Sequence, residues 1–122
     1  MTQARRQRIG QWGEAQAARF LESKGYEVAA RNVRTAYGEI DLIVRDAHGL
    51  VFVEVKTRTN LKYGYPEQGI TRRKMEHMVA AAQAYMAEHP DLAGQAFRID
   101  VIALITGERA GDVEIVHFEN VA

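Results

Sequence analysis

The chain reads as an α/β domain of order αβββαββ, a central mixed β-sheet flanked by helices. Three observations predict it. Two stretches carry apolar residues at helical spacing. Five shorter ones are extended, most with alternating apolar and polar residues. The strands are divided by the second helix, as in a layered α/β domain.

The first helix is predicted over residues 6–24. Ile9, Gly13, Ala17, Phe20 and Leu21 fall on one arc, and Lys24-Gly25 supplies a basic residue and a glycine at its end. Glu14 lies at the edge of that arc and Trp12 lies off it. Residues 26–34 predict a first strand. Residues 39–45 predict a second, with Ile40, Leu42 and Val44 on one face and Glu39, Asp41, Ile43 and Arg45 on the other. Asp46-Ala47-His48-Gly49 is a turn by composition. Residues 50–58 predict a third strand, with Val51, Val53 and Val55 facing one way and Leu50, Phe52, Glu54, Lys56 and Arg58 the other. The second helix is predicted over 71–88, with Met75, Met78, Val79, Ala82, Tyr85 and Met86 as its apolar stripe. Pro90 and Gly94 then break the chain. Strands are predicted over 96–106 and 113–118, with a turn at 107–111.

With 122 residues, one domain over 1–122 is expected. The chain has no cysteine, which excludes disulfides, thiolate metal sites and a cysteine nucleophile. No apolar run is longer than Val101 to Ile105, far short of the roughly 20 residues that span a bilayer. The basic N-terminus has no apolar segment behind it. A cytoplasmic protein is expected. The net charge is zero but uneven. Residues 1–74 carry 14 Lys/Arg against 8 Asp/Glu, and residues 75–122 carry 2 against 8. Such asymmetry suits a polyanion-facing surface, or two segments that neutralise each other.

The informative region is Gly38-Glu39-Ile40-Asp41-Leu42-Ile43 with Val51-Phe52-Val53-Glu54-Val55-Lys56. A hairpin looping through 46–49 places Arg45 opposite Leu50, Ile43 opposite Phe52 and Asp41 opposite Glu54. Facing side chains lie about 5 Å apart at Cβ. Lys56 shares the face of Glu54. Two opposed carboxylates in an apolar setting need compensation. A divalent cation such as Mg²⁺ supplies it through hard oxygen ligands. Carboxylates, a lysine and such a metal suit phosphodiester hydrolysis. Glu-x-Lys on a solvated strand face is also common and contributes little. The residues alone leave a structural ion network open beside the catalytic reading.

The pattern Gly13-Glu14-x-x-Ala17, Gly25-Tyr26, Arg31-Asn32-x-Arg34, GEIDLI at 38–43 and FVEVK-x-Arg at 52–58 resembles the YraN family of small bacterial proteins. Gly64, Pro66, Lys74 and Arg98-x-Asp100-Val101 fit it too, so the resemblance covers nearly the whole chain. It implies a restriction-endonuclease-like fold of the PD-(D/E)xK superfamily, with Holliday junction resolvases among the relatives. By that resemblance Asp41, Glu54 and Lys56 match the catalytic motif, and Glu14 is the helix glutamate that joins Asp41 and Glu54 around Mg²⁺ or Mn²⁺. Ile40 stands where the motif has proline. Resolvase relatives act as symmetric dimers, so a homodimer is an expectation by analogy alone.

The segment from Lys56 to Lys74 is strongly basic, with Tyr63 and Tyr65 interleaved. Arg58, Arg72, Arg73 and Lys74 are candidates for phosphate contacts, as are Arg31 and Arg34, and the tyrosines could stack on bases. Arg5, Arg6 and Arg8 extend that surface or form a free basic arm. The four histidines show no metal-ligand spacing and read as non-catalytic. The expectation is a metal-dependent nuclease acting on DNA, branched or structured DNA in particular. Two rivals stand beside it: an inactive nucleic-acid-binding module of the same fold, serving recombination or repair, and a protein-interaction domain with an acidic C-terminal half.

Overall fold

The computed structural model describes residues 2–58, 69–109 and 111–122. Its elements run α1 (Gln3–Ser23), β1 (Glu27–Thr35), β2 (Gly38–Asp46), β3 (Gly49–Arg58), α2 (Arg72–Ala87), β4 (Phe97–Thr106) and β5 (Val113–Phe118), with a 3₁₀ turn at Pro90–Leu92. The predicted order is the observed one. Helix α1 begins three residues earlier than its apolar arc predicts, because Thr2 caps it: its hydroxyl accepts the Arg5 N–H at 3.1 Å.

The five strands lie in the order β1-β2-β3-β4-β5. Neighbours are antiparallel except β3 and β4, which are parallel. A parallel pair needs a crossover, and α2 provides it. The sheet therefore buries both faces. Ala17, Ala18 and Leu21 of α1 pack with Leu42, Val44, Val51, Val53, Ile102 and Leu104. On the opposite face Ala81 and Ala82 of α2 pack with Ile43, Leu50, Phe52 and Ile99. Val51 and Val53 take the α1 face while Leu50 and Phe52 take the α2 face, so β3 alternates as predicted but with both faces covered. That explains its nearly unbroken apolar run. Among the described residues no helix is long and apolar enough to cross a membrane.

Strand β2 departs from the predicted alternation. Ile40 packs on the α2 side with Ile43, whereas Leu42 and Val44 pack on the α1 side. The facing direction changes between Ile40 and Leu42, at Asp41. Strand β1 changes face in the same region: Ala30 and Val33, three apart, both join the α2-side cluster. Asn32 between them has φ of 50°, a left-handed conformation that asparagine tolerates better than most residues. A period of two cannot register such a break, so the correction came from the packing.

Candidate metal centre

Asp41 sits where the β2–β3 ladder ends. The predicted register holds from Asp46–Gly49 through Ile43–Phe52 to Leu42–Val53 and stops there. Beyond it, an Asp41 carboxylate oxygen accepts the Val55 N–H at 2.8 Å. The expected ladder pair of Asp41 with Glu54 is replaced by this side-chain bond. The carboxylate takes the place of a backbone acceptor, and the two strands part around it. Two clefts open there. One, of about 170 Å³, is lined by Glu39, Asp41, Glu54, Lys74 and His77 over apolar walls that include Ile40 and Phe52. The other is lined by Arg6, Glu14, Asp41 and Arg58. Asp41 belongs to both.

Three carboxylates converge at this point. Glu14, Glu39 and Asp41 each present an oxygen, all within 4.8 Å of one another. Glu14 comes from the buried side of α1. Gly13 beside it is fully enclosed, and a Cβ there would collide with the Thr57 hydroxyl. This close approach of α1 to β3 carries Glu14 over the strand ends. Burial and the neighbouring carboxylates push the Asp41 carboxyl from the usual aspartate value near 3.8 up to about 6, against the pull of the Val55 N–H. Burial also raises Glu14; Asn32 and Arg31 oppose that rise, and the Glu39 charge adds to it. A cluster of oxygen donors in which Glu14 and Asp41 are raised by burial and by neighbouring acidic charge is suited to a hard divalent ion.

Glu54 and Lys56 lie on the α2 side of β3. Glu54 pairs with Lys74 at 3.1 Å, and its second oxygen is buried without a hydrogen-bond partner among the described residues. Lys74 is held there because Thr71 caps α2 through the Lys74 N–H. Lys56 is only 5% exposed, and its Nζ also has no partner among the described residues. Burial and the Lys74 charge lower its pKa; the Glu54 charge opposes them.

Of the predicted centre, the structure brings Glu14 to Asp41 and Lys56 to Glu54, and does not join the four as one ring. Glu14 and Asp41 meet Glu39, which the sequence reading passed over. Its signal was available: it stands two residues before Asp41, on the same predicted face. Among the predicted phosphate contacts, Arg58 lines the second cleft, Lys74 lines the first, and Arg31 acts on Glu14. Arg34 is exposed and opposes Glu39 in register. Arg73 is exposed. Arg72 turns instead to Glu76 at 3.7 Å, on the outer side of α2. Lys62, Tyr63 and Tyr65 lie outside the described residues.

A second polar cluster was not foreseen. Asp100, fully buried in β4, accepts from Arg98 at 3.0 and 3.2 Å, from the Asn120 N–H at 2.9 Å and from His117 Nε2 at 2.7 Å. His117 Nδ1 faces Lys24 Nζ at 2.9 Å. An ammonium only donates, so Nδ1 is the acceptor and Nε2 carries the proton. Arg98 also donates to the Tyr26 hydroxyl at 2.7 Å and approaches Glu119 at 3.6 Å. The signal in the sequence was a charged residue inside the apolar strand 97–106. Through Asp100, His117 ties β5 to β4.

The sequence profile of the uncharacterised protein family UPF0102 matches residues 13–104. The chain belongs to the UPF0102 family. This is the YraN family that the motifs resemble. A UPF0102 protein of Roseiflexus castenholzii is 47% identical over 113 residues, 93% of this chain and 91% of the relative. One from Beutenbergia cavernae is 44% identical, covering 93% and 94%. One from Syntrophotalea carbinolica is 40% identical, covering 90% and 87%. The UPF0102 match spans Glu14, Glu39, Asp41, Glu54, Lys56, Lys74 and Asp100.

Proposed function

We propose that this UPF0102 protein is a Mg²⁺- or Mn²⁺-dependent endonuclease that hydrolyses phosphodiester bonds in DNA, with branched or structured DNA as its substrate. The observation that carries this reading is the convergence of Glu14, Glu39 and Asp41 oxygens within 4.8 Å, with Lys56, near Glu54 on β3, buried and without a partner among the described residues. Glu14, Glu39 and Asp41 would hold the ion, with Glu54 as the fourth oxygen donor once it leaves Lys74. Bound there, the ion would polarise the scissile phosphate and lower the pKa of a water. The chain's own residues supply the rest. Lys56 offers a desolvated ammonium that can hold water or stabilise charge developing on the phosphate. Arg6 and Arg58 on one side and Lys74 on the other provide cations for the flanking phosphates. The Asp41–Val55 bond fixes the central carboxylate, so it needs no reorganisation when the ion arrives.

The test is cleavage of labelled single-stranded, duplex, flap and four-way-junction DNA with EDTA, Mg²⁺ or Mn²⁺. Cutting that requires the metal, and that falls at least about a hundredfold in both Asp41→Asn and Lys56→Ala, supports the enzyme. One observation favours a second reading: Lys74 already neutralises Glu54, as it would in a binding module without turnover. Salt-sensitive DNA binding that survives Lys56→Ala, with no cleavage by any of the proteins, would select that reading.

A further inference from the structure

The N-terminal half of α1 extends past the sheet. Its first buried residue is Gly13, so residues 3–12, about 15 Å of helix, contribute nothing to either core. This arm carries Arg5, Arg6 and Arg8 and no acid. Its first turn lacks the acidic residue that would suit the positive end of the helix dipole. The cations destabilise the helix they sit on, and a bound polyanion would reverse that effect.

The arm also exposes an aromatic ring. Trp12 and Tyr37 are the large apolar residues most exposed among the described residues, at 37% and 57%. Trp12 stacks on no aromatic ring among them. It lines a surface groove with Arg5, Arg8 and Ile9. Ile9 in turn lines the cleft that holds Arg6, Glu14, Asp41 and Arg58. The groove and the cleft that reaches the carboxylate centre thus share Ile9, and Tyr37 lies in the cleft on the far side of Asp41.

We propose that this groove binds an unpaired nucleotide of a nucleic-acid strand, its base stacked on Trp12 and its flanking phosphates on Arg5 and Arg8. A base inside a duplex is already stacked on both faces, so an exposed indole selects unpaired ones. Base–aromatic stacking is worth about 1–3 kcal/mol per base and tolerates any sequence. Flanking guanidiniums add the salt-dependent part. An acidic protein surface would satisfy the arginines but leave the flat indole face unused. The proposal rests on the nuclease reading only for where the strand leads; the groove's own chemistry stands apart from it. It narrows the substrate class to nucleic acid with a single-stranded stretch beside the scissile position.

Trp12 is the chain's one tryptophan, so its emission reports on the groove directly. The full-length protein, held in EDTA to prevent cleavage, is titrated with a twelve-residue oligothymidylate and with a blunt duplex. Saturable quenching by the oligothymidylate, reversed by salt and weak with the duplex, is expected. Anisotropy of a labelled oligothymidylate should show about tenfold or greater loss of affinity in Trp12→Ala, the scale of one lost stack. Trp12→Phe should keep most of the affinity, and circular dichroism checks that both variants fold. Unchanged emission together with unchanged affinity in Trp12→Ala overturns the proposal. So does emission that varies with protein concentration alone, since a second copy would then fill the groove. Quenching without metal-dependent cleavage would sink the nuclease reading and leave this one standing. Cleavage without quenching would do the reverse.

Discussion

Asp41 and Asp100 lie in the same sheet, and the fold treats them in opposite ways. Asp100 is enclosed and answered by four donors: two N–H groups of Arg98, the His117 ring and the Asn120 backbone N–H. Asp41 receives one N–H, from Val55, and is otherwise surrounded by Glu14, Glu39 and Glu54. The first acid holds β4, β5 and the C-terminal residues together; the backbone bond from the Val121 N–H to the Ile99 carbonyl continues that attachment. The second sits where two strands part and two clefts meet. A buried charge that the chain has matched belongs to the fold. A partly buried charge on which three neighbouring acids act is held there against electrostatic cost, a cost that a bound cation would relieve.

Stability separates the two aspartates most. Asp100→Ala should cost about 3 kcal/mol in urea unfolding, because it leaves the His117 ring and the half-buried Arg98 without their shared acceptor. Asp41→Asn in EDTA should be neutral or stabilising, since it removes a repelled charge. Equal losses in the two variants would erase the distinction drawn here.

The pH dependence sharpens it. Folded Asp41 keeps its proton up to about pH 6, whereas in the unfolded chain it ionises near 3.8. Between those values the folded state binds more protons, so stability falls as pH rises from about 4 through 6 and stays lower above. Discounted for its partly exposed carboxyl, the penalty is roughly 2 kcal/mol. Wild type and Asp41→Asn should therefore agree near pH 4 and diverge above pH 6, with the variant the more stable. Mn²⁺ should remove the gap at neutral pH by stabilising wild type alone. Parallel curves in EDTA would show that the Asp41 carboxyl is not raised.

The smallest effect concerns position. Gly13→Ala puts a methyl group against the Thr57 hydroxyl. It should cost about 1 kcal/mol in unfolding. Because it lifts α1 off β3, it should also weaken Mn²⁺ binding several-fold, as read by calorimetry. A matching loss of stability with unchanged metal affinity would mean that Glu14 does not depend on this contact.

Much of the site was legible in the residues. GEIDLI and FVEVK placed Asp41, Glu54 and Lys56 on neighbouring strands, and the turn at 46–49 set a register that holds over five residue pairs. Glu14 was placed at the border of the α1 core, and it lies there. What escaped were the consequences of contact. The switch of facing at Asp41 was invisible because an isolated strand pattern assumes a period of two throughout. The role of Lys74 was read as phosphate contact, and its pairing with Glu54 appeared only when α2 was laid over β3. Arg98 and Asp100 stand two apart on β4, but His117 is 17 residues further on, so nothing but the β4–β5 pairing could bring it to them.

The order of the elements, the hairpin register, the family and two of the three converging acids, Glu14 and Asp41, were legible in the sequence. Those follow from local periodicity, turn chemistry and short motifs, each of which acts over a few residues. Tertiary structure alone decided that Glu39 rather than Glu54 stands with Glu14 and Asp41. It also decided that Lys56 is buried without a partner among the described residues, that Asp100 is fully matched, and that Trp12 stays exposed. Burial and charge pairing depend on what the rest of the chain brings to within a few ångströms, and that is a property of the packed layers.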